Sequence, residues 1–331
     1  MGLTNFPNGI SSMGMPVYGS GIPTGLTECF FVDYGNGSDG VSKKSNSATK
    51  PWKTLEYAET QITTNKNEGI ALMGNSEHTL TAMLGVDKNR MHIFGYDPGG
   101  RMFGQNARVS ITALTGASNI ATMQNTGVRN SFRNIKFGNA STVAQGLYCV
   151  AEGGEYSLFN GCEFYKSTDL DVALAAELLC NGDSSQWYNC SFGSLVKADE
   201  KGGSSAERPN VLLTRETLTG KVARDCEFTN CEFLTCAATT ATSCIHSTTA
   251  TDVERRMILR DCLFMNAVLA TADPAVAISL DNAQTEGKIL LINPAIIDIT
   301  ALATSSKGVY VVGGSVPADP TTGIAVAVDG S

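Results

Sequence analysis

Along most of the chain, apolar and polar positions alternate with a period of two, in short runs broken by Asn, Asp or Gly. That is the pattern of brief strands separated by tight turns. One four-residue unit recurs: Asn134-Ile-Lys-Phe137, Gly161-Cys-Glu-Phe164, Asn189-Cys-Ser-Phe192, Asp225-Cys-Glu-Phe228, Asp261-Cys-Leu-Phe264 and, degraded, Asn293-Pro-Ala-Ile296. Its last position falls at 137, 164, 192, 228, 264 and 296, at intervals of 27, 28, 36, 36 and 32 residues. These lengths suit single coils of a solenoid with loops of variable size. Two positions before the Asn or Asp stands a bulky residue, Phe132, Phe159, Trp187, Leu259 or Leu291, with Ala223 the exception.

After each unit comes a loop and a second apolar strand, as in Gly146–Val150, Glu177–Cys180, Asn210–Leu213, Ser243–Ile245, Val276–Leu280 and Gly308–Val312. Each coil therefore carries about three short strands. Because side chains alternate faces along a strand, the third and last members of the unit point to opposite sides. The expected inward ladder is Cys162, Cys190, Cys226 and Cys262 beside Phe137, Phe164, Phe192, Phe228 and Phe264. The outward row is Lys136, Glu163, Ser191, Glu227 and Leu263. Asn, Asp and Gly suit the corner because they tolerate left-handed backbone. Gly69–Met73 and Met91–Phe94 begin the first coils. Before them, the spacing of Trp52, Leu55, Ala58 and Ile62 predicts an amphipathic helix over about 51–65, placed to cover the open end of the solenoid.

Residues 1–27 differ: none is charged, and apolar side chains are scattered among Gly and Pro. They read as an extended attachment arm, with Leu3, Phe6, Ile10, Met13, Met15, Val17 and Tyr18 as its partner-binding residues. Residues 28–331 form the solenoid domain.

Composition narrows the function. Charged residues are 17% of the chain and glycines number 34, below and above their usual shares of ~25% and ~7%. A net charge of -8 gives no footprint for a phosphate backbone, so nucleic acid is not expected as a ligand. No apolar stretch is long enough to cross a membrane, and no secretion signal opens the chain, so assembly in a cytosol with reduced thiols is expected for the ten cysteines.

The segment Phe31-Val-Asp-Tyr-Gly-Asn-Gly-Ser-Asp-Gly40, followed by Ser47-Ala-Thr-Lys-Pro-Trp-Lys-Thr-Leu55, resembles the opening of right-handed parallel β-helix proteins of the pectate-lyase-like superfamily. The resemblance, with the repeats, covers about residues 28–331 and implies an all-β, right-handed, single-stranded parallel β-helix behind a capping helix. A second Asn-Asp-Gly is usual in that loop; here Val41-Ser-Lys-Lys44 replaces it. The run from Met1 to Pro16 is similar to the N-termini of virion structural proteins of tailed bacteriophages.

Enzymes of the superfamily place acidic calcium ligands and a base on one external strand face of neighbouring coils. Here Ser191 separates Glu163 from Glu227, and Lys136 is placed to pair with Glu163. Asp169, Asp171, Asp199 and Glu200 read as solvated loop acids. The Asp33–Asp39 loop lacks the closing Glu of a calcium loop, and Cys226, Cys231, Cys236, Cys244 and His246 lack a zinc spacing. His78, His92 and His246 read as structural. No catalytic residue, metal or cofactor is assigned. The expectation is a non-enzymatic virion component, a capsid decoration or a head or tail spike, bound to capsid or tail proteins through the arm. A tailspike-like polysaccharide lyase or glycoside hydrolase and a carbohydrate-binding β-helix are the alternatives. A homotrimer and a host surface glycan are further partners this reading admits.

Overall fold

The computed structural model describes residues 25–74, 77–96, 109–113, 120–139, 146–166, 174–196, 200–201, 208–215, 221–304 and 308–312, with the backbone of strands Ser11–Ser12 and Met15–Pro16. Three parallel sheets of ten, eight and eight strands wind as a right-handed parallel β-helix. Each coil contributes one strand to each sheet. The first sheet runs from Glu28–Val32 to Val309–Val312, the second from His78–Leu80 to Ala295–Ile297, and the third from Leu84–Val86 to Ala301–Ala303.

The corner from first to second sheet is tight because one residue turns left-handed. Asn134, Gly161, Asn189, Asn230, Asp261 and Asn293 hold it, with φ between 50° and 63°. Each donates its backbone N–H to the coil above, for example Asn134 to the Asn160 carbonyl at 3.0 Å and Asp261 to that of Ile292 at 2.8 Å. Their side chains bond along the stack too, Asn230 Nδ2 to Asn189 Oδ1 at 2.7 Å and Asn293 Nδ2 to Asp261 Oδ1 at 3.0 Å. A cheap left-handed residue therefore both turns the chain and registers its neighbour.

Inside run two aromatic columns. The second-sheet column is Phe137, Phe164, Phe192, Phe233 and Phe264, stacked at 5.5, 4.6, 5.2 and 4.9 Å. The first-sheet column is Phe132, Phe159, Trp187 and Phe228, at 4.7, 5.6 and 4.4 Å, continued by Leu259 and Leu291 through strand pairing. All are fully buried in one apolar cluster that reaches from Phe30 to Val309.

The ladder expected from the repeat needs one correction. Phe228 is not its fourth rung: it pairs with Trp187 in the first sheet, and Phe233 pairs with Phe192 and Phe264 in the second. The true unit of that coil is Asn230-Cys-Glu-Phe233, with left-handed Asn230 at the corner. Cys226 and Glu227 move with Phe228 into the first sheet, and Cys231 and Glu232 take their places. Two look-alike units five residues apart compete for the corner. The longer strand Ala223–Thr229, irregular in register between Arg224 and Cys226, carries the first of them past it. The exception at Ala223 disappears, because the bulky residue two positions before Asn230 is Phe228.

Cys162, Cys190, Cys231 and Cys262 lie buried just inside the corners, and their thiols donate to backbone carbonyls, such as Cys231 Sγ to Trp187 O at 3.4 Å. Cys226 is buried too, its thiol donating to Gly182 O at 3.1 Å. All ten cysteines are free thiols. A second correction falls at the end: Gly308–Val312 supplies a strand of the first sheet, and Ala301–Ala303 is the third-sheet strand of that coil.

The cap helix spans Leu55–Gln61, shorter than 51–65. Trp52 bridges to Val32 as a strand residue would, which keeps its neighbourhood extended, and Ile62 is again extended. Trp52, Leu55, Ala58 and Ile62 nevertheless all point into the core. The preceding loop approaches so closely that a Cβ on Gly37 would lie 2.0 Å from the Trp52 carbonyl oxygen. Of the arm, Ser11–Ser12 pairs antiparallel with Met15–Pro16. Leu3, Phe6, Ile10, Met13, Val17 and Tyr18, and the side chain of Met15, lie outside the described residues.

Candidate functional site

The outward faces of the three sheets are where side chains of successive coils can meet a substrate. On the second sheet the row is Lys136, Glu163, Ser191, Glu232 and Leu263. Lys136 Nζ lies 3.1 Å from Glu163 Oε1 and 4.4 Å from the centre of the Tyr165 ring. That pair is the ion pair its adjacency predicts, with Glu163 buried and Lys136 partly exposed at the surface. Ser191 separates the two carboxylates of this row, which are Glu163 and Glu232 rather than Glu227.

On the third sheet the row is Gln124, Ala151, Leu179, Leu212, His246 and Ser279. Ala151, Leu179 and Leu212 belong to a second apolar cluster, packed by Met83, Ile120, Leu147 and Leu174. No carboxylate stands in this row. Its one titratable group, His246, is buried with Nε2 3.7 Å from Asp281 Oδ2.

The first sheet is different. Where its strands meet the corners from the third sheet, an open groove of about 370 Å³ is lined by Tyr156, Ser184, Gln186, Asp225, Glu227 and Arg256. Asp225 takes ion pairs from Arg255 at 2.9 Å and Arg256 at 3.2 Å, and Glu227 one from Arg260 at 3.7 Å. Arg224 reaches Asp183 at 3.6 Å and Glu254 at 3.5 Å, and Lys221 reaches Glu155 at 3.1 Å. Glu155 and Asp183 occupy matching corners of neighbouring coils, so two carboxylates do stand side by side there, each beside its own cation. Tyr156 is 56% exposed, with the Arg129 guanidinium 5.8 Å from its ring. Of this group only Asp225 and Glu227 belong to the recurring four-residue unit, which places them at a corner and on another face. The rest carry no local motif, because strand pairing across coils is what assembles them.

The remaining candidate groups have internal tasks. Asp33 Oδ1 accepts from the backbone N–H groups of Gly35 and Asn36, both at 3.0 Å. Asp39 accepts from Lys53 N, Thr54 N and Thr54 Oγ1 at 2.8 to 3.0 Å, fastening the start of the cap helix. His92 bonds Ser131 Oγ at 2.8 Å and Asn67 Oδ1 at 3.2 Å, and burial lowers its pKa to about 4. His78 Nε2 lies 3.0 Å from the Met73 carbonyl, and burial lowers it as well. Glu200 accepts from Thr271 N at 2.7 Å, while Asp169, Asp171 and Asp199 lie outside the described residues. Cys226 lies on a strand of the first sheet and Cys231 at the corner that follows it, and among the described residues no three His, Cys, Asp or Glu side chains gather as a metal cluster.

Glu177 and Glu152 are among the charged side chains buried inside the coils. Glu177 pairs with Lys201 and accepts from Asn210 Nδ2 at 3.3 Å, and Asn210 Nδ2 also donates to the Phe192 and Leu234 carbonyls at 3.0 and 2.8 Å, tying the second sheet to the third. Glu152 accepts from Asn125 Nδ2 at 2.8 Å, Gly154 N at 3.0 Å and Ser185 Oγ at 3.1 Å; burial raises its pKa to about 7 against the pull of those bonds.

No protein-family model and no curated protein matches the chain. Solved structures do match in shape. A pectin methylesterase from Aspergillus niger aligns over 93% of both chains with a TM-score of 0.56 and 14% identity. A rhamnogalacturonan lyase aligns over 86% of this chain and 72% of its own, with a TM-score of 0.59 and 10% identity. A pectate lyase aligns over 90% and 81%, with a TM-score of 0.51 and 11% identity. At such identities the likeness is one of fold, that of the right-handed parallel β-helix.

Proposed function

We propose that the chain is a non-catalytic structural component of a bacteriophage virion, a capsid decoration or a head or tail spike, whose β-helix is a rigid body and whose N-terminal arm is its anchor. The observation that supports a non-catalytic body is the disposition of its carboxylates. Among the described residues no outward row of the three sheets carries two of them on successive coils; of Glu28 and Glu68, register partners at the start of the first sheet, Glu68 is held by Lys43 at 2.9 Å, and Glu155 and Asp183, adjacent at the corners, each lie beside a cation. Cleavage of a glycosidic bond by hydrolysis asks for two carboxylates free to act as acid and as base or nucleophile. The uncharged arm supports attachment: burying half of its ten apolar side chains gives on the order of 10 kcal/mol at ~1.5 to 3 kcal/mol each. Ordering its backbone costs about 1 to 2 kcal/mol per residue, so hydrogen bonds to the partner, as in strand addition, belong to the same event.

Deleting residues 2–25 is expected to leave the β-helix folded and to abolish incorporation into particles, read as copy number in purified virions. Assembly of the truncated chain at normal copy number would place the attachment surface on the coils. The second reading, a polysaccharide lyase or hydrolase, is favoured by the pectin-acting and rhamnogalacturonan-acting names of the structural neighbours. Incubation with polygalacturonate and host surface polysaccharide, with and without calcium, separates the two. Release of unsaturated products or new reducing ends would establish the second.

A further inference from the structure

Where the second sheet hands over to the third, a lysine, a carboxylate and a carboxamide are shut together inside the coils. Leu178 pairs with Val211, so Glu177 and Asn210, one place earlier, stand over one another in neighbouring coils. The Leu178 N–H donates to the Asn210 carbonyl at 3.0 Å and fixes that spacing. Lys201 falls in the chain between the second-sheet strand Ser191–Gly193 and Asn210, and the next coil holds its backbone. Its N–H donates to Cys236 O at 2.6 Å, and its carbonyl accepts from Ala238 N at 2.8 Å. All three side chains are buried, and one oxygen, Glu177 Oε2, touches both Lys201 Nζ and Asn210 Nδ2. The two ends of the Asn210 amide fare differently. Nδ2 faces three acceptors with two hydrogens, Glu177 Oε2 and the carbonyls of Phe192 and Leu234, whereas Oδ1 is buried and accepts no hydrogen bond. A buried acceptor left without a donor is costly, so the site holds this amide in an unfavourable ground state.

We propose that Lys201 and Asn210 join in an intramolecular amide bond, with Glu177 as the catalytic acid and base. The Lys201 ammonium passes a proton to Glu177 Oε2, and the freed amine attacks Asn210 Cγ. Protonated Glu177 then supplies the donor that Oδ1 lacks as negative charge gathers there. The Cγ–Nδ2 bond breaks as the amine's second proton travels by way of Glu177 to Nδ2, which leaves as ammonia and carries off the proton first lent to Glu177. An ammonium and a carboxamide thus become a secondary amide and an ammonium ion, with nothing oxidised or reduced. No co-reactant is needed. Amine and amide react very slowly in water, but here both rest on the same oxygen, and the closed interior protects the product from hydrolysis. Lys166, also buried, lies near enough for its charge to act on both Lys201 and Glu177, so the carboxylate is not left alone once Lys201 loses its charge. The bond closes residues 201–210 into a ring and staples that loop to the third sheet. It is independent of the virion role, since neither requires the other.

The test is a tryptic peptide map of the full chain, purified in its folded form and then denatured. Trypsin cuts neither after an acylated lysine nor before Pro209, so residues 198–215 are expected as one peptide, lighter than its sequence by one ammonia, in most molecules. Fragmentation should place the join between Lys201 and Asn210. Glu177→Gln, nearly isosteric and checked for folding by far-UV circular dichroism, should abolish the bond. Trypsin then cuts after Lys201 and frees residues 202–215 at full mass. The proposal falls if the wild-type chain itself is cut after Lys201 with both peptides at full mass, a result that depends on no variant folding. Loss of ammonia with Lys201 still cut would mean a cyclised Asn210 and would overturn it, as would loss of water in place of ammonia. A folded Glu177→Gln chain that keeps the bond would overturn the role of Glu177.

Discussion

Truncating Phe233 tests the register of the whole interior. Its ring is fully buried, stacked on Phe192 at 5.2 Å and 10° and on Phe264 at 4.9 Å and 11°, and tilted against Phe228 at 5.8 Å. Phe→Ala in a core costs about 3 to 5 kcal/mol as transfer plus cavity terms. Strands above and below hold the neighbouring rungs at fixed spacing, so the cavity cannot collapse, and two stacked partners are lost at once. The upper end of that range, about 4 to 5 kcal/mol, is therefore expected for Phe233→Ala, a large share of the ~5 to 15 kcal/mol by which a domain is stable. Urea unfolding followed by far-UV circular dichroism and by tryptophan fluorescence in a Trp52→Phe background measures it. That background leaves Trp187, 4.4 Å from Phe228, as sole reporter. Solenoids can unfold in parts, and two probes reveal whether this one does. A double-mutant cycle should show Phe233 coupled to Phe192 by ~0.5 to 3 kcal/mol. A cost below ~1 kcal/mol, or no coupling to Phe192, would refute the register and restore Phe228 as the missing rung.

Two further outcomes follow from burial. Glu152, raised from 4.5 to about 7, has a folded pKa above its unfolded one, so its contribution is full below about 4.5 and is lost as pH rises through about 7. The loss is on the order of 3 kcal/mol, and Glu152→Gln should remove it. His92, held near 4, works in the opposite sense, losing stability as pH falls below ~6.5. The informative quantity is therefore wild type minus variant at about pH 5 and about pH 8, and an equal difference at both would show that Glu152 does not titrate with folding. The thiols should resist alkylation in the native chain, since burial lifts Cys29 and Cys244 to about 12 and Cys149 higher still. Thiol counting in denaturant without reductant should recover nearly all ten, and recovery of four or fewer would overturn the free-thiol assignment.

The sequence by itself determined everything that depends on side-chain parity and on corner chemistry. Alternation placed Phe137, Phe164, Phe192 and Phe264 inward and Lys136 and Glu163 outward, and the Asn, Asp or Gly before them marked where the chain turns. These are properties of a few consecutive residues, so a short window holds them. Asp225–Phe228 and Asn230–Phe233 are each a valid corner unit in such a window. Only hydrogen-bonded pairing with the coil before, Trp187 to Phe228 and Phe192 to Phe233, decided which one turns. The groove was hidden for the same reason, since Tyr156, Gln186, Asp225 and Arg256 come from separate coils and meet only when those coils stack. The left-handed corners along its edge, at Arg129, Tyr156 and Ser184, were equally invisible, because Arg, Tyr and Ser do not favour the conformation that tertiary hydrogen bonds impose on them.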